Sequence, residues 1–130
     1  MYTDFTLKVL KIAGENKNLL KDVAGELLHL KAEFEPDTAP AFGITINGYK
    51  LTCDVNHNRL NGTFLSPVEN KIYLEILIDR NSIEIYANHG RLYKADAHNF
   101  VDGPRGLALF SDGKTKLHSL EIFELNSIWN

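Results

Sequence analysis

Apolar and polar residues alternate with a period of two along most of this chain, and helical periodicity does not recur. In the stretch LLHLKAEFE, Leu28, Leu30, Ala32 and Phe34 share one parity, while His29, Lys31, Glu33 and Glu35 hold the other. A strand with that pattern buries one face and wets the other. The next run, FGITINGYKLTCD, has Asn47-Gly48 between two alternating segments, which are the residues a type I′ hairpin turn requires. Pairing across that turn sets Ile46 beside Tyr49, Ile44 beside Leu51 and Phe42 beside Cys53, all on the core face. Cys53 then reads as a small buried hydrophobe, not a reactive thiol.

The segment YLEILIDRNSIEIYANHG poses a sharper question, because Asp79, Arg80 and Glu84 interrupt a run of isoleucine and leucine. A two-residue turn at Arg80-Asn81 pairs Ile78 with Ile83, Ile76 with Ile85 and Leu74 with Ala87. A slip of one residue would send every one of these side chains to water, so the pattern pins the register. A second turn at Asn88-His89-Gly90, with Gly90 supplying positive φ, returns the chain through RLYKADA. On that three-residue loop Glu84 lies opposite Lys94 on the outer face as a cross-strand ion pair. Further strands are predicted near 106–111 and 115–125; FTLKVLKI alternates imperfectly, and GENKN reads as a turn. The expected fold is all-β: an antiparallel β-sandwich (a concanavalin-like jelly roll) of about nine or ten strands without substantial helix. It is expected as a single module over residues 1–130, with no repeat or linker inside it.

Composition narrows the partners. The net charge is −3 and the 14 basic residues are scattered, so no basic face is available for nucleic acid or an anionic membrane. No apolar run approaches the roughly 18 residues that a membrane-spanning helix needs. Nothing resembles a signal peptide, so an exported parent is expected to carry its signal upstream of Met1. The lone cysteine excludes an internal disulfide framework. Ser66, Ser82, Ser111, Ser119 and Ser127 lack a nucleophile-elbow context. The histidines (29, 57, 89, 98 and 118) are dispersed, and spacings such as Asp54-x-x-His57 and Asp96-x-His98 arise commonly by chance, so no metal or cofactor is expected. Asn61-Gly62-Thr63 fits a glycosylation sequon and equally a turn. Among 17 acidic residues carboxylate pairs are unavoidable, and their presence says nothing about glycoside hydrolysis.

The segment IYLEILIDRNSIEIYANHG closely resembles a pattern in the C-terminal β-sandwich of glycoside hydrolase family 32: an apolar strand, then D-R-x-S-[apolar]-E-[apolar]-[aromatic]-x-N-x-G. That family contains invertases, levanases and inulinases. The resemblance extends from Leu27 to Trp129. It takes in LHLKAEFEPDTAPAFGITINGYKLTCDVNHNRL, with Cys53-Asp54 where Tyr-Asp is usual, then NGTFLSPVENKIYLEI and the closing LHSLEIFELNSIW. The family's catalytic motifs, Asn-Asp-Pro-Asn, Arg-Asp-Pro and Glu-Cys, lie on an N-terminal five-bladed propeller, and none occurs here. The resemblance therefore implies a non-catalytic module whose partner is a catalytic propeller in the parent chain. For a bacterial fructan-degrading parent it also implies an extracellular or periplasmic setting.

Two functions follow. As an accessory domain, the module packs on the propeller and steadies it. As a binding module, it holds a terminal fructose of a fructan oligosaccharide, as levan-binding modules similar to this sandwich do. Sugar recognition uses carboxylates and guanidinium groups on vicinal hydroxyls and an aromatic ring on the apolar face. The candidate ligand-binding residues are Asp79, Arg80 and Glu84, beside Tyr73 or Tyr86, with Asp54 as a fourth member from the neighbouring hairpin. The bland alternatives are equally concrete: Asp79 capping its own turn, Arg80 solvated, Glu84 paired with Lys94 and Trp129 sealing the sandwich. Purified chain is expected to release no fructose from sucrose, inulin or levan; release that persists through further purification would contradict the non-catalytic reading.

Overall fold

The alternating runs fold as strands, and no helix occurs among the described residues of this computed structural model, which are 2–12, 27–100 and 106–125. The strands are β1 (Tyr2–Ile12), β2 (Leu27–Pro36), β3 (Ala41–Ile46), β4 (Tyr49–Asp54), β5 (Arg59–Leu60) and β6 (Thr63–Phe64). They continue as β7 (Ile72–Ile78), β8 (Ser82–Ala87), β9 (Leu92–Ala97), β10 (Leu107–Ser111) and β11 (Thr115–Leu125). A six-stranded sheet has the order β1-β11-β2-β7-β8-β9, and a five-stranded sheet the order β10-β3-β4-β5-β6. The expected sandwich is thus present. The count exceeds nine or ten because β5 and β6 are two-residue pieces, too short to show any periodicity. The closing Ile128 and Trp129 and the GENKN turn lie outside the described residues.

Each sheet turns its apolar parity inward. Leu30, Phe34, Ile76, Ile83 and Ile85 of the six-stranded sheet and Phe42, Ile44 and Ile46 of the five-stranded sheet are fully buried in one core. Phe34 and Phe42 meet across the sandwich with ring centroids 4.8 Å apart. Full burial of one such side chain stabilises the fold by about 1.5–3 kcal/mol, so the core dominates the registers. The β3–β4 pairs are those expected, Ile46 with Tyr49, Ile44 with Leu51 and Phe42 with Cys53, around a turn with φ of 45° at Asn47 and 87° at Gly48. The β7–β8 pairs Ile78–Ile83, Ile76–Ile85 and Leu74–Ala87 also form. Between β11 and β2 the register shifts at His118, a bulge that sets its Nε2 2.6 Å from Glu35 Oε1.

The β8–β9 pairing corrects the sequence reading. The loop has four residues, Asn88 to Arg91, because Ala87 pairs with Leu92. Three successive residues, Asn88, His89 and Gly90, take positive φ (50°, 58° and 92°), and the turn needs Arg91 to rejoin the ladder. Glu84 consequently faces Ala95, and Lys94 faces Ile85. The expected Glu84–Lys94 ion pair does not form, and positions 92, 94 and 96 point to the inner face of the sheet.

Gly43 marks the tightest approach in the core. A Cβ there would stand 2.0 Å from the Leu51 carbonyl oxygen and 2.6 Å from Phe110 Cζ. Gly43→Ala is expected to destabilise the domain by about 1–3 kcal/mol or more, because backbone cannot yield as a side-chain tip can. Urea unfolding checks this, and an unchanged midpoint would contradict the packing.

Candidate functional site

The Asp79 turn is locally self-sufficient. Asp79 Oδ1 accepts hydrogen bonds from Asn81 N (3.0 Å), Ser82 N (2.9 Å) and Ser82 Oγ (2.9 Å). These donors, the Asn81 amide foremost, hold the carboxyl below its ordinary value of 3.8. The Arg80 carbonyl accepts the Phe100 amide at 2.9 Å, tying the turn to the segment beyond β9. Glu84 lies on the outer face, where Tyr93 Oη donates to its Oε1 at 3.0 Å. Tyr93 is 53% exposed and its ring lies 5.0 Å from that of Tyr86. Tyr73 stacks on His89 at 4.4 Å, so each aromatic residue expected near a sugar has a protein neighbour already.

Asp54 is elsewhere. It closes β4 in the other sheet, five residues from Tyr49, or about 17 Å along an extended strand. Its carboxylate contacts His57 Nδ1 at 2.9 and 3.0 Å, and the His57 hydrogen bond draws its pKa down. Asp79, Arg80 and Glu84 share one end of the sandwich; Asp54 does not join them.

What the structure brings to that end is a group the sequence reading missed. With the corrected register, Lys94 and Asp96 face inward from edge strand β9. The Tyr49 hydroxyl, from the five-stranded sheet, donates to Asp96 Oδ2. Asn61 Nδ2 reaches the Tyr49 hydroxyl at 3.5 Å and the Lys50 carbonyl at 3.1 Å, and Asn61 Oδ1 accepts the Thr52 amide at 2.7 Å. Lys94 Nζ stands 4.0 Å from Asp96 Oδ2. Burial first, and then the Asp96 hydrogen bond, push the Tyr49 hydroxyl up to about 12. His98 meets Tyr49 edge-on at 5.5 Å, and Phe100 lies 4.5 Å from His98. The side-chain amide of Asn61 is therefore committed to strand β4, which is the structural side of the sequon ambiguity. The length of the Asn88–Arg91 loop sets the face of Lys94 and Asp96, and the contact with Tyr49 comes only from the packing of the two sheets.

Two other features have less chemistry. Cys53 is buried, and desolvation pushes its thiol up to about 12, out of the reactive range. A depression of about 380 Å³ at the opposite end is lined by Glu35, Pro36, Asp37, Asn70, Lys114, Thr115 and Lys116. It holds charge of both signs and no aromatic ring. Among the described residues no group of three His, Cys, Asp or Glu side chains is placed to hold a metal ion.

The family pattern described as "Glycosyl hydrolases family 32 C terminal" matches residues 48–124. A levanase of Bacillus subtilis (strain 168) is 28% identical over 94% of this chain, and a levanase of Bacillus sp. (strain L7) is 30% identical over 87%. The chain spans only 22% and 15% of those two proteins. The β-fructofuranosidase of Schwanniomyces occidentalis is similar in structure, with a TM-score of 0.75 at 16% identity, over 96% of this chain and 33% of that one. Galectin LEC-6 of Caenorhabditis elegans matches with a TM-score of 0.61 at 12% identity, over 90% of this chain and 94% of its own. At these identities the structural likenesses establish the fold.

Asp79→Ala is expected to lower stability by roughly 1 kcal/mol at neutral pH, the net worth of its turn hydrogen bonds at an exposed site. Because the folded-state pKa is depressed, this contribution is complete above the ordinary value of 3.8 and is lost as pH falls through the lower folded value. Melting temperatures of the two proteins should accordingly converge in acid; a gap that persists below that range would assign the loss to something other than the carboxylate.

Proposed function

The chain belongs to the C-terminal domains of glycosyl hydrolases family 32, and we propose that it is a non-catalytic accessory domain steadying the catalytic propeller of a fructan- or sucrose-hydrolysing parent. The observation that carries this reading is coverage: nearly all of this chain aligns with a fructofuranosidase of which it accounts for a third. The sequence supplies none of the family's three catalytic motifs, and Asp79 Oδ1 is committed to the amides of its own turn. A large, well-packed sandwich with ordinary turns is what a supporting domain requires.

A second reading, fructan binding, is favoured by one observation: half-exposed polar and aromatic groups converge at the Asp79 end, on both faces of the six-stranded sheet. Glu84 with Tyr93 offers an acceptor beside a ring, and the turn carrying Arg80 borders the inner cluster. In this reading Asp79 acts through the turn it caps, and Asp54 is too distant to share a ligand with the others.

In the parent chain, deleting residues 27–129 is expected to lower the melting temperature of the catalytic portion and shorten its active half-life, with kcat/KM per folded enzyme kept. An unchanged melting temperature would count against the accessory role. Titrating levan oligosaccharides into the 130-residue chain checks the second reading, which requires saturable heat.

A further inference from the structure

We propose that the seam between β9 and β4 is a carbohydrate subsite, with Asp96 as acceptor, Lys94 as donor, the Tyr49 and His98 rings as its apolar wall, and Asn61 as the residue that holds the Tyr49 hydroxyl in place. This rests on the fructan-binding reading and says where and how the sugar is held.

The placement is unusual for a sandwich. Inward positions of an edge strand ordinarily extend the core, and β7 and β8 do so with isoleucine at every inward pair nearest the turn. Strand β9 instead presents Lys94 and Asp96, with side chains 22% and 39% exposed. Drawing two charges from water without complete pairing is costly, and apolar residues there would pack better. The pairing is indeed incomplete. Tyr49 and Lys94 both address Asp96 Oδ2, and among the described residues Oδ1 accepts no hydrogen bond. At 4.0 Å the ammonium lies beyond hydrogen-bond range, so it has donors to spare.

These leftovers match a sugar. A carboxylate oxygen accepts from vicinal hydroxyls, an ammonium donates to hydroxyl oxygens, and a ring covers the C–H face. One Lys and one Asp give no net charge, which suits a neutral ligand. The site is also held in place. The His98 amide donates to the Asn81 carbonyl at 3.0 Å and the Phe100 amide to the Arg80 carbonyl at 2.9 Å, so the Asp79 turn fixes the strand's exit. Asn61 is anchored by three hydrogen bonds of its own. By contrast, the depression at the opposite end has lysines and carboxylates without a ring to stack on.

Chemical-shift mapping of the wild-type chain with a levan oligosaccharide, a probe that needs no variant, is expected to move the amides of 49–52, 61 and 94–98 together. Calorimetry should then show Asp96→Asn and Lys94→Met each weakening binding about tenfold or more, the usual cost of a lost charged hydrogen bond. Circular dichroism checks that both remain folded, and Asp37→Ala in the opposite depression should bind as wild type does. Shifts confined to Glu84, Tyr86 and Tyr93, or full affinity in both folded variants, would overturn the seam site while leaving fructan binding intact. Absence of any wild-type shift or heat would overturn the fructan-binding reading and the subsite with it.

Discussion

The isoleucine ladder between β7 and β8 decides where every polar group of the motif points. Ile76 pairs with Ile85 and Ile78 with Ile83, and none of the four is more than 3% exposed. Because side chains alternate strictly, fixing these inward fixes Leu77, Glu84 and Tyr86 outward. The ladder then transmits that choice to β9, whose residues take their faces from the partner they pair with. Asp96 lies inward because Ile83 does, and Lys94 because Ile85 does. The placement of polar groups at the Asp79 end is thus a consequence of the hydrophobic register of the strands beside it.

That dependence explains what could be read from the sequence. In β2, β3, β4, β7 and β8 one parity is almost wholly apolar, so only one register keeps the core dry. In RLYKADA neither parity is: one holds Leu92, Lys94 and Asp96, the other Arg91, Tyr93, Ala95 and Ala97. Burial does not discriminate between them, and loop length alone decides. A three-residue loop ending at Gly90 is the simplest reading of Asn-His-Gly, but the chain uses positive φ at all three residues and adds Arg91. The candidate site was illegible for the same reason: mixed polarity at inward positions erases the alternation that would locate them. Such loss of local consistency is expected where a fold departs from pure packing.

Asparagine accounts for much of the remainder. Among the described residues, five of the seven non-glycine residues at positive φ are Asn47, Asn58, Asn61, Asn70 and Asn88. The left-handed region costs other L-residues about 1–2 kcal/mol, and asparagine tolerates it while its amide bonds locally. Here the amides bond far from home in sequence. Asn47 Oδ1 accepts the Gly106 amide at 2.7 Å, and Asn88 bridges the Tyr73 amide to the Ser66 carbonyl at 2.8 Å each. Asn47 and Asn88 are 5% and 3% exposed, and neither leaves a fully buried side-chain polar atom without a partner. Sequence pattern marks such residues as turns but does not reveal which distant strand they will stitch.

Pairing, more than charge, separates structural from ligand-ready groups in this domain. Asp79 belongs to the most recognisable part of the family pattern, yet one of its oxygens accepts three donors within the turn. Asp54, at the position where the family usually has Asp after Tyr, is occupied by His57. Asp96 is half-exposed and inward-facing, with one oxygen accepting from the Tyr49 hydroxyl and near the Lys94 ammonium, and the other open among the described residues. The bonds that Asp79 accepts serve the hairpin turn itself. On the proposed carbohydrate reading, the open groups lie instead where the two sheets meet, and that junction exists only after both registers are set.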